Sequence, residues 1–186
     1  LEYLAREHGY RLRTVRAAIN VNHDQKTMLY KKASRRLITF DGLKIAVLGL
    51  TFKPGTDDLR EAPSLYNIPL LLAQGAHIYA FDPVGIENTK KKFPEGKNEK
   101  GSITYVNNPE TALKEANACF IFTEWDEICA LEPIKYKLLM KTPLVYDGRN
   151  IYGLEDMYKA GVEYYSVGRA GVNISKAILG KTAVGR

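Results

Sequence analysis

The run Lys44-Ile45-Ala46-Val47-Leu48-Gly49 constrains the fold of this chain more than any other segment. A half-exposed strand would alternate apolar and polar residues. This near-continuous apolar run instead fits a strand covered on both faces, as in a parallel sheet. The segment Thr51 to Ala62 then reads as a loop, and Pro63 stands where a first-turn proline belongs. Ser64 to Gln74 reads as a helix with Gly75 past its end, and Pro69 inside it is expected to kink it. His77 to Asp82 is a second strand, ending at Pro83. Strand, helix and strand together have the length of one βαβ unit.

The alternation continues along the chain. Ile103 to Val106 reads as a short strand. Asn108-Pro109-Glu110 caps a helix expected to run to Asn117, and Ala118 to Phe122 is a strong strand. Pro133 to Met140 reads as a helix and Leu144 to Tyr146 as a strand ending in Asp147-Gly148-Arg149-Asn150. Leu154 to Ala160 reads as a short helix closed by Gly161, and Val162 to Tyr165 as the last strand. Before Lys44, Leu1 to His8 reads as a helix end stopped by Gly9. One long helix follows, with Val15, Ala18, Ile19, Leu29, Ala33 and Leu37 near one face. The expected fold is α/β, a Rossmann-like doubly wound and mostly parallel sheet preceded by a long connecting helix. Residues 1–40 form the connector, 41–169 the α/β domain, and 170–186 a tail. The stretch from Ser166 has little periodicity and is expected to be mobile.

With 186 residues, 45% of them hydrophobic, the chain can bury one real core. Its formal charge of +6 favours anionic ligands. Much of the excess sits in Lys90-Lys91-Lys92, Lys97 and Lys100 around Pro94 and Gly96, which reads as a solvated loop and not as a nucleic-acid surface. Apolar runs stay far short of a membrane span, no signal peptide is evident, and two cysteines fit a reducing cytoplasm. Cys119 and Cys129 lack metal-ligand spacing, and His8, His23 and His77 are scattered. The expectation is therefore no metal and no catalytic centre.

In open α/β sheets, ligands gather at the carboxyl ends of the strands, where strand order reverses. The loop after Leu50, Asp82-Pro83, residues 123–127 and residues 147–150 all follow strands and should share that edge. They bring Phe52, Lys53, Arg60, Trp125 and Arg149 to it, which suits a flat ring joined to phosphate. Each residue also has a plainer reading. Lys53 reads equally as a solvated loop lysine, Asp57 and Asp58 as caps or partners of Arg60, Arg149 as a turn residue beside Asp147, and Phe52 and Trp125 as core. Gly49 alone is not a dinucleotide fingerprint.

Lys44 to Leu65, KIAVLGLTFKPGTDDLREAPSL, resembles the start of the C-terminal domain of the nucleotide-sugar dehydrogenases, the UDP-glucose dehydrogenases in particular. Gly75-Ala76, Phe81-Asp82-Pro83, Phe122-Thr123-Glu124-Trp125, Asp147-Gly148-Arg149-Asn150 and Ser166-Val167-Gly168-Arg169 agree in order, and Leu1 to Arg36 resembles the helical segment before that domain. The resemblance implies a two-step, NAD-dependent oxidation of UDP-glucose to UDP-glucuronate through a cysteine. It places that cysteine and the main NAD site upstream of Leu1, so the chain is expected to be an inactive fragment. It further implies that Phe52, Lys53 and Arg149 contact the UDP-sugar, that Arg60 reaches toward NAD, and that Asp57, Asp58 and Glu61 shape the loop. A homodimer through the connecting helix is also implied. Relatives acting on UDP-N-acetylmannosamine or GDP-mannose, and a non-catalytic nucleotide-binding module, are the rival expectations.

Overall fold

The computed structural model describes residues 2–98 and 100–174. It opens with α1 (Glu2–Glu7), α2 (Arg13–Lys26) and α3 (Met28–Arg36). Then come β1 (Lys44–Leu48), α4 (Ser64–Ala73), β2 (His77–Phe81), α5 (Ile86–Lys90), β3 (Gly96–Asn98) and β4 (Gly101–Tyr105). The second half holds α6 (Pro109–Leu113), β5 (Ala118–Ile121), α7 (Asp126–Cys129), α8 (Pro133–Leu139), β6 (Leu144–Asp147), α9 (Leu154–Lys159) and β7 (Glu163–Ser166).

The described strands form one sheet in the order β3-β4-β2-β1-β5-β6-β7, parallel throughout except for β3 against β4. Chain order runs outward from β1 through β2 and β4, then returns to the other side of β1 as β5, β6 and β7. The reversal therefore lies between β1 and β5. Alternate residues serve two buried layers. Ile45, Val47, Phe120 and Tyr146 pack with Leu29, Ala33, Ile68 and Leu71 of α3 and α4. Ala46, Leu48, Cys119, Ile121 and Val145 pack with Ala112, Ile128, Tyr136 and Met157 on the α6–α9 side. Apolar cover on both faces explains why β1 and β5 read as unbroken apolar runs. The doubly wound α/β fold expected from the sequence is the fold observed.

Four details differ from the sequence reading. The expected single connecting helix is divided at Thr27 (φ −101, ψ 9). The Asn67 side chain stands in the gap: its Nδ2 donates to the Lys26 carbonyl at 2.7 Å, and its Oδ1 accepts from Tyr30 N–H at 3.2 Å. Those two backbone groups would bond each other in an uninterrupted helix, so a buried amide from α4 has replaced one rung of the ladder. Only the part after the break packs on the sheet. Leu29 and Ala33 are buried and Arg36 grips Glu163 with two bonds, whereas α2 has no buried residue.

Pro69 sits within α4, where the sequence reading put it. The lysine-rich loop is partly ordered as α5 and β3, with Lys90 near Glu87 and Glu95. α6 has its expected cap, Asn108 Oδ1 accepting from Thr111 N–H, but stops at Leu113 and not Asn117. Just beyond, Glu115 takes φ +59 and donates its N–H to Leu139. Finally, the stretch after Ser166 is anchored where mobility was expected: Val172 pairs with Tyr164 in both directions. The tail from residue 175 lies outside the described residues.

Candidate functional site

Gly49 ends β1 at φ +84, and its N–H bonds the Phe81 carbonyl at 2.8 Å. A Cβ there would fall 2.5 Å from Thr123 N and 2.6 Å from Thr123 Cβ, so the turns after β1 and β5 touch at the point of reversal. Thr123 Oγ1 donates to the Thr51 carbonyl across the same contact. Asp82, at the end of β2 and almost fully buried, accepts from everything around it. Oδ2 takes Leu50 N–H, Thr51 N–H, the Thr51 hydroxyl and Trp125 Nε1–H, while Oδ1 takes Val84 N–H and Gly85 N–H.

This arrangement does not fit a dinucleotide. In a dinucleotide fold the first turn offers free N–H groups to the pyrophosphate and the acid after β2 takes a ribose hydroxyl. Here Asp82 occupies the N–H groups of Leu50 and Thr51, and its own oxygens are saturated. The space above Gly49 belongs to Thr123, and the next helix, α4, begins only at Ser64.

The loop instead projects outward. Phe52 N–H bonds the Asp58 carbonyl at 2.9 Å and closes the loop on itself. Phe52 is 45% exposed, and the exposed Lys53 makes no hydrogen bond or ion pair among the described residues. Arg149 reaches this loop from the end of β6. Its Nη2–H donates to the Phe52 carbonyl at 2.6 Å and its Nε–H to the Phe122 carbonyl at 2.7 Å. Glu124 Oε2 lies 2.9 Å from Nε but out of line with that hydrogen, so it balances charge without a hydrogen bond. Asp147, fully buried, accepts from the N–H groups of Arg149, Asn150 and Ile151 and fixes where Arg149 begins.

Phe52, Lys53 and Arg149 thus come together at the reversal. Arg60 does not join them. It is bound to Asp58 through three side-chain contacts of 2.8–3.1 Å and lines a separate cavity of about 750 Å³ with Leu65, Asn88, Lys91 and Lys92. The acidic residues hold the loop: Asp57 accepts from Asn88, and Glu61, at φ +63, pairs with Lys26 of α2. Of the two readings of Trp125, the core one fits: it packs against the α6–α9 layer, and its indole N–H is tied to Asp82 and Thr51. The sequence reading placed Asp82, Thr123 and Glu124 on this edge but gave them no role, because the groups they meet, Leu50, Thr51 and Arg149, lie far away in the chain.

The Arg60 guanidinium holds the Asp58 carboxyl down at about 2, against 3.8 for an ordinary aspartate. A depressed carboxylate contributes order above its unfolded value and loses it as pH falls through the folded value. The 56–60 turn should therefore stay closed at pH 4 and open toward pH 2. A ¹³C titration of the Asp58 carboxyl should show a midpoint near 2 that returns toward 3.8 in Arg60→Ala. Equal midpoints in both proteins would refute the pairing. Elsewhere, burial pushes the Cys119 and Cys129 thiols up, away from the reactive thiolate. Among the described residues no group of three or more His, Cys, Asp or Glu stands together to hold a metal, and no helix is long and apolar enough to cross a membrane.

The sheet order and the helices on both of its faces define the class, a Rossmann-like doubly wound α/β domain. Residues 46–154 match the UDP binding domain of the UDP-glucose/GDP-mannose dehydrogenase family, and the chain belongs to that family. It is 43% identical over 172 residues to the UDP-glucose 6-dehydrogenase YwqF of Bacillus subtilis, covering 92% of this chain and 37% of the relative. A UDP-glucose 6-dehydrogenase of Rhizobium meliloti is 39% identical over 166 residues, covering 89% and 36%. Among solved structures, a UDP-glucose dehydrogenase from the hyperthermophilic archaeon Pyrobaculum islandicum superposes with a TM-score of 0.74 at 27% identity, covering 90% of this chain and 35% of that one. The chain thus spans little more than a third of the length of these relatives.

Proposed function

We propose that residues 41–169 bind the nucleotide-sugar substrate of an NAD-dependent UDP-glucose 6-dehydrogenase, with residues 1–40 as its connector to the rest of the enzyme. The observation that carries this reading is the unpaired Lys53 beside Phe52, whose carbonyl is held by Arg149. An exposed ring offers a face to a base or sugar, and the two cations suit a diphosphate. Glu124 already balances part of the Arg149 charge, so Lys53 carries most of the uncompensated attraction.

NAD is the cofactor of this reading, and its main site would be built by other parts of the enzyme. From this chain only Arg60 is assigned to it, which requires Arg60 to exchange Asp58 for the cofactor. No residue here is assigned to hydride transfer. The 186-residue chain alone should form no NADH from UDP-glucose. Dimerisation through the connector and a cytoplasmic location complete the proposal.

The test is calorimetric titration of UDP into the chain. Lys53→Ala should raise Kd about tenfold, more at low salt than at high, as expected for a partly exposed charge. Its melting temperature should not change, because Lys53 is exposed and makes no hydrogen bond or ion pair among the described residues. GDP should bind more weakly than UDP if the substrate is a UDP-sugar. A chain that ignores UDP, or a Lys53→Ala variant that binds it normally, sinks the proposal.

A further inference from the structure

The loop after β7 is joined to the Arg149 turn by more contacts than strand pairing requires. Asn150, at φ +59, exchanges two hydrogen bonds of 3.1 Å with the backbone of Val167. Beneath them runs a polar chain. Arg169 donates through Nη2 to the Tyr164 hydroxyl at 3.0 Å, and that hydroxyl donates to Asp147 Oδ2 at 2.6 Å. The other carboxylate oxygen accepts Arg149 N–H at 2.6 Å and Asn150 N–H at 2.9 Å. Arg169 is itself fixed by the Ser166 hydroxyl and the Tyr152 carbonyl, and Lys32 of α3 holds the Ser166 carbonyl.

We infer that Arg169 is a positioning residue for the nucleotide site, acting through Tyr164 and Asp147 on Arg149. The inference rests on the reading of Arg149 as a nucleotide contact. Asp147 has two oxygens and four donors to serve, so its orientation depends on all of them. Tyr164 is fully buried, and its hydroxyl fixes the oxygen that does not touch Arg149. If Arg169 and Tyr164 hold that oxygen, the other stays under the Arg149 N–H, and the guanidinium starts from the place that reaches Phe52. Without them Oδ2 keeps only the Ile151 N–H, the carboxylate is held less tightly, and more of the ordering of the Arg149 fork falls to the ligand, which weakens binding.

The experiment is a double-mutant cycle read by UDP calorimetry on the 186-residue chain. Arg169→Ala and Tyr164→Phe should each raise Kd about tenfold, and the Arg149 and Asn150 amide resonances should move in both. Combined with Arg149→Ala, neither should weaken binding further, since both act through that residue. A purely structural role would lower the melting temperature while leaving Kd alone, or would add in full to Arg149→Ala; either result overturns the inference while the nucleotide reading stands. A wild-type chain that binds no UDP overturns both.

Discussion

Alanine at Gly49 is expected to destabilise the protein by at least ~3 kcal/mol, since it combines a left-handed backbone with a collision. The φ of +84 accounts for about 1–2 kcal/mol of this in any residue with a Cβ. The rest comes from Thr123, whose backbone nitrogen lies 2.5 Å from the added carbon. That nitrogen sits just past β5 and has no flexible end to swing aside, so relief means parting the turns after β1 and β5. Gly55 provides the control: its φ is +76, but nothing lies within 4 Å. Gly55→Ala should therefore show the strain alone, about 1–2 kcal/mol. Urea unfolding of both variants measures the difference, and similar losses would mean that the Gly49–Thr123 contact is loose. Gly49→Ala should also weaken UDP binding, because Arg149 bridges the carbonyls of Phe52 and Phe122 on the two parted turns.

Removing the Asp82 carboxylate should be about as damaging, roughly 3–4 kcal/mol, because it strands six donors, four of them in buried hydrogen bonds. Six groups donate to it, among them the N–H groups of Leu50, Thr51 and Gly85 and the Trp125 indole. In a chain of this size such a loss corresponds to a fall in melting temperature of about 10 °C. Asp82→Asn separates charge from shape: its amide NH₂ must face an N–H, so it should recover little. Trp125 fluorescence should shift in Asp82→Ala, where the indole N–H loses its Asp82 acceptor and keeps only Thr51 Oγ1. A loss below ~1 kcal/mol in Asp82→Ala would show that the surrounding donors find other partners.

The parts of this fold legible in the sequence are those set by short-range pattern. The double apolar cover of β1 and β5 and the closing glycines marked the crossover units, and strand ends located the edge that carries Phe52, Lys53 and Arg149. The pairing of Asp58 with Arg60 was readable too, as residues two apart in a tight turn. What escaped depends on partners distant in the chain. No local signal at Thr27 announces a helix break, because its cause is Asn67 on another helix. Trp125 could be ligand platform or core until Asp82, 43 residues away, was placed under its nitrogen. β3 is three residues long with a glycine among them, and exists only because β4 offers it an edge.

The division at Thr27 has a mechanical consequence. α2 is a lever about 21 Å long at 1.5 Å per residue. Its fulcrum belongs to α4, whose Asn67 amide also bonds the Pro63 carbonyl at the foot of the exposed loop. Lys26, bound to Glu61 and Tyr66, is a second strut at the same pivot. Torque on the first 26 residues is therefore delivered to Glu61 and Pro63, and the loop that presents Lys53 feels the load directly.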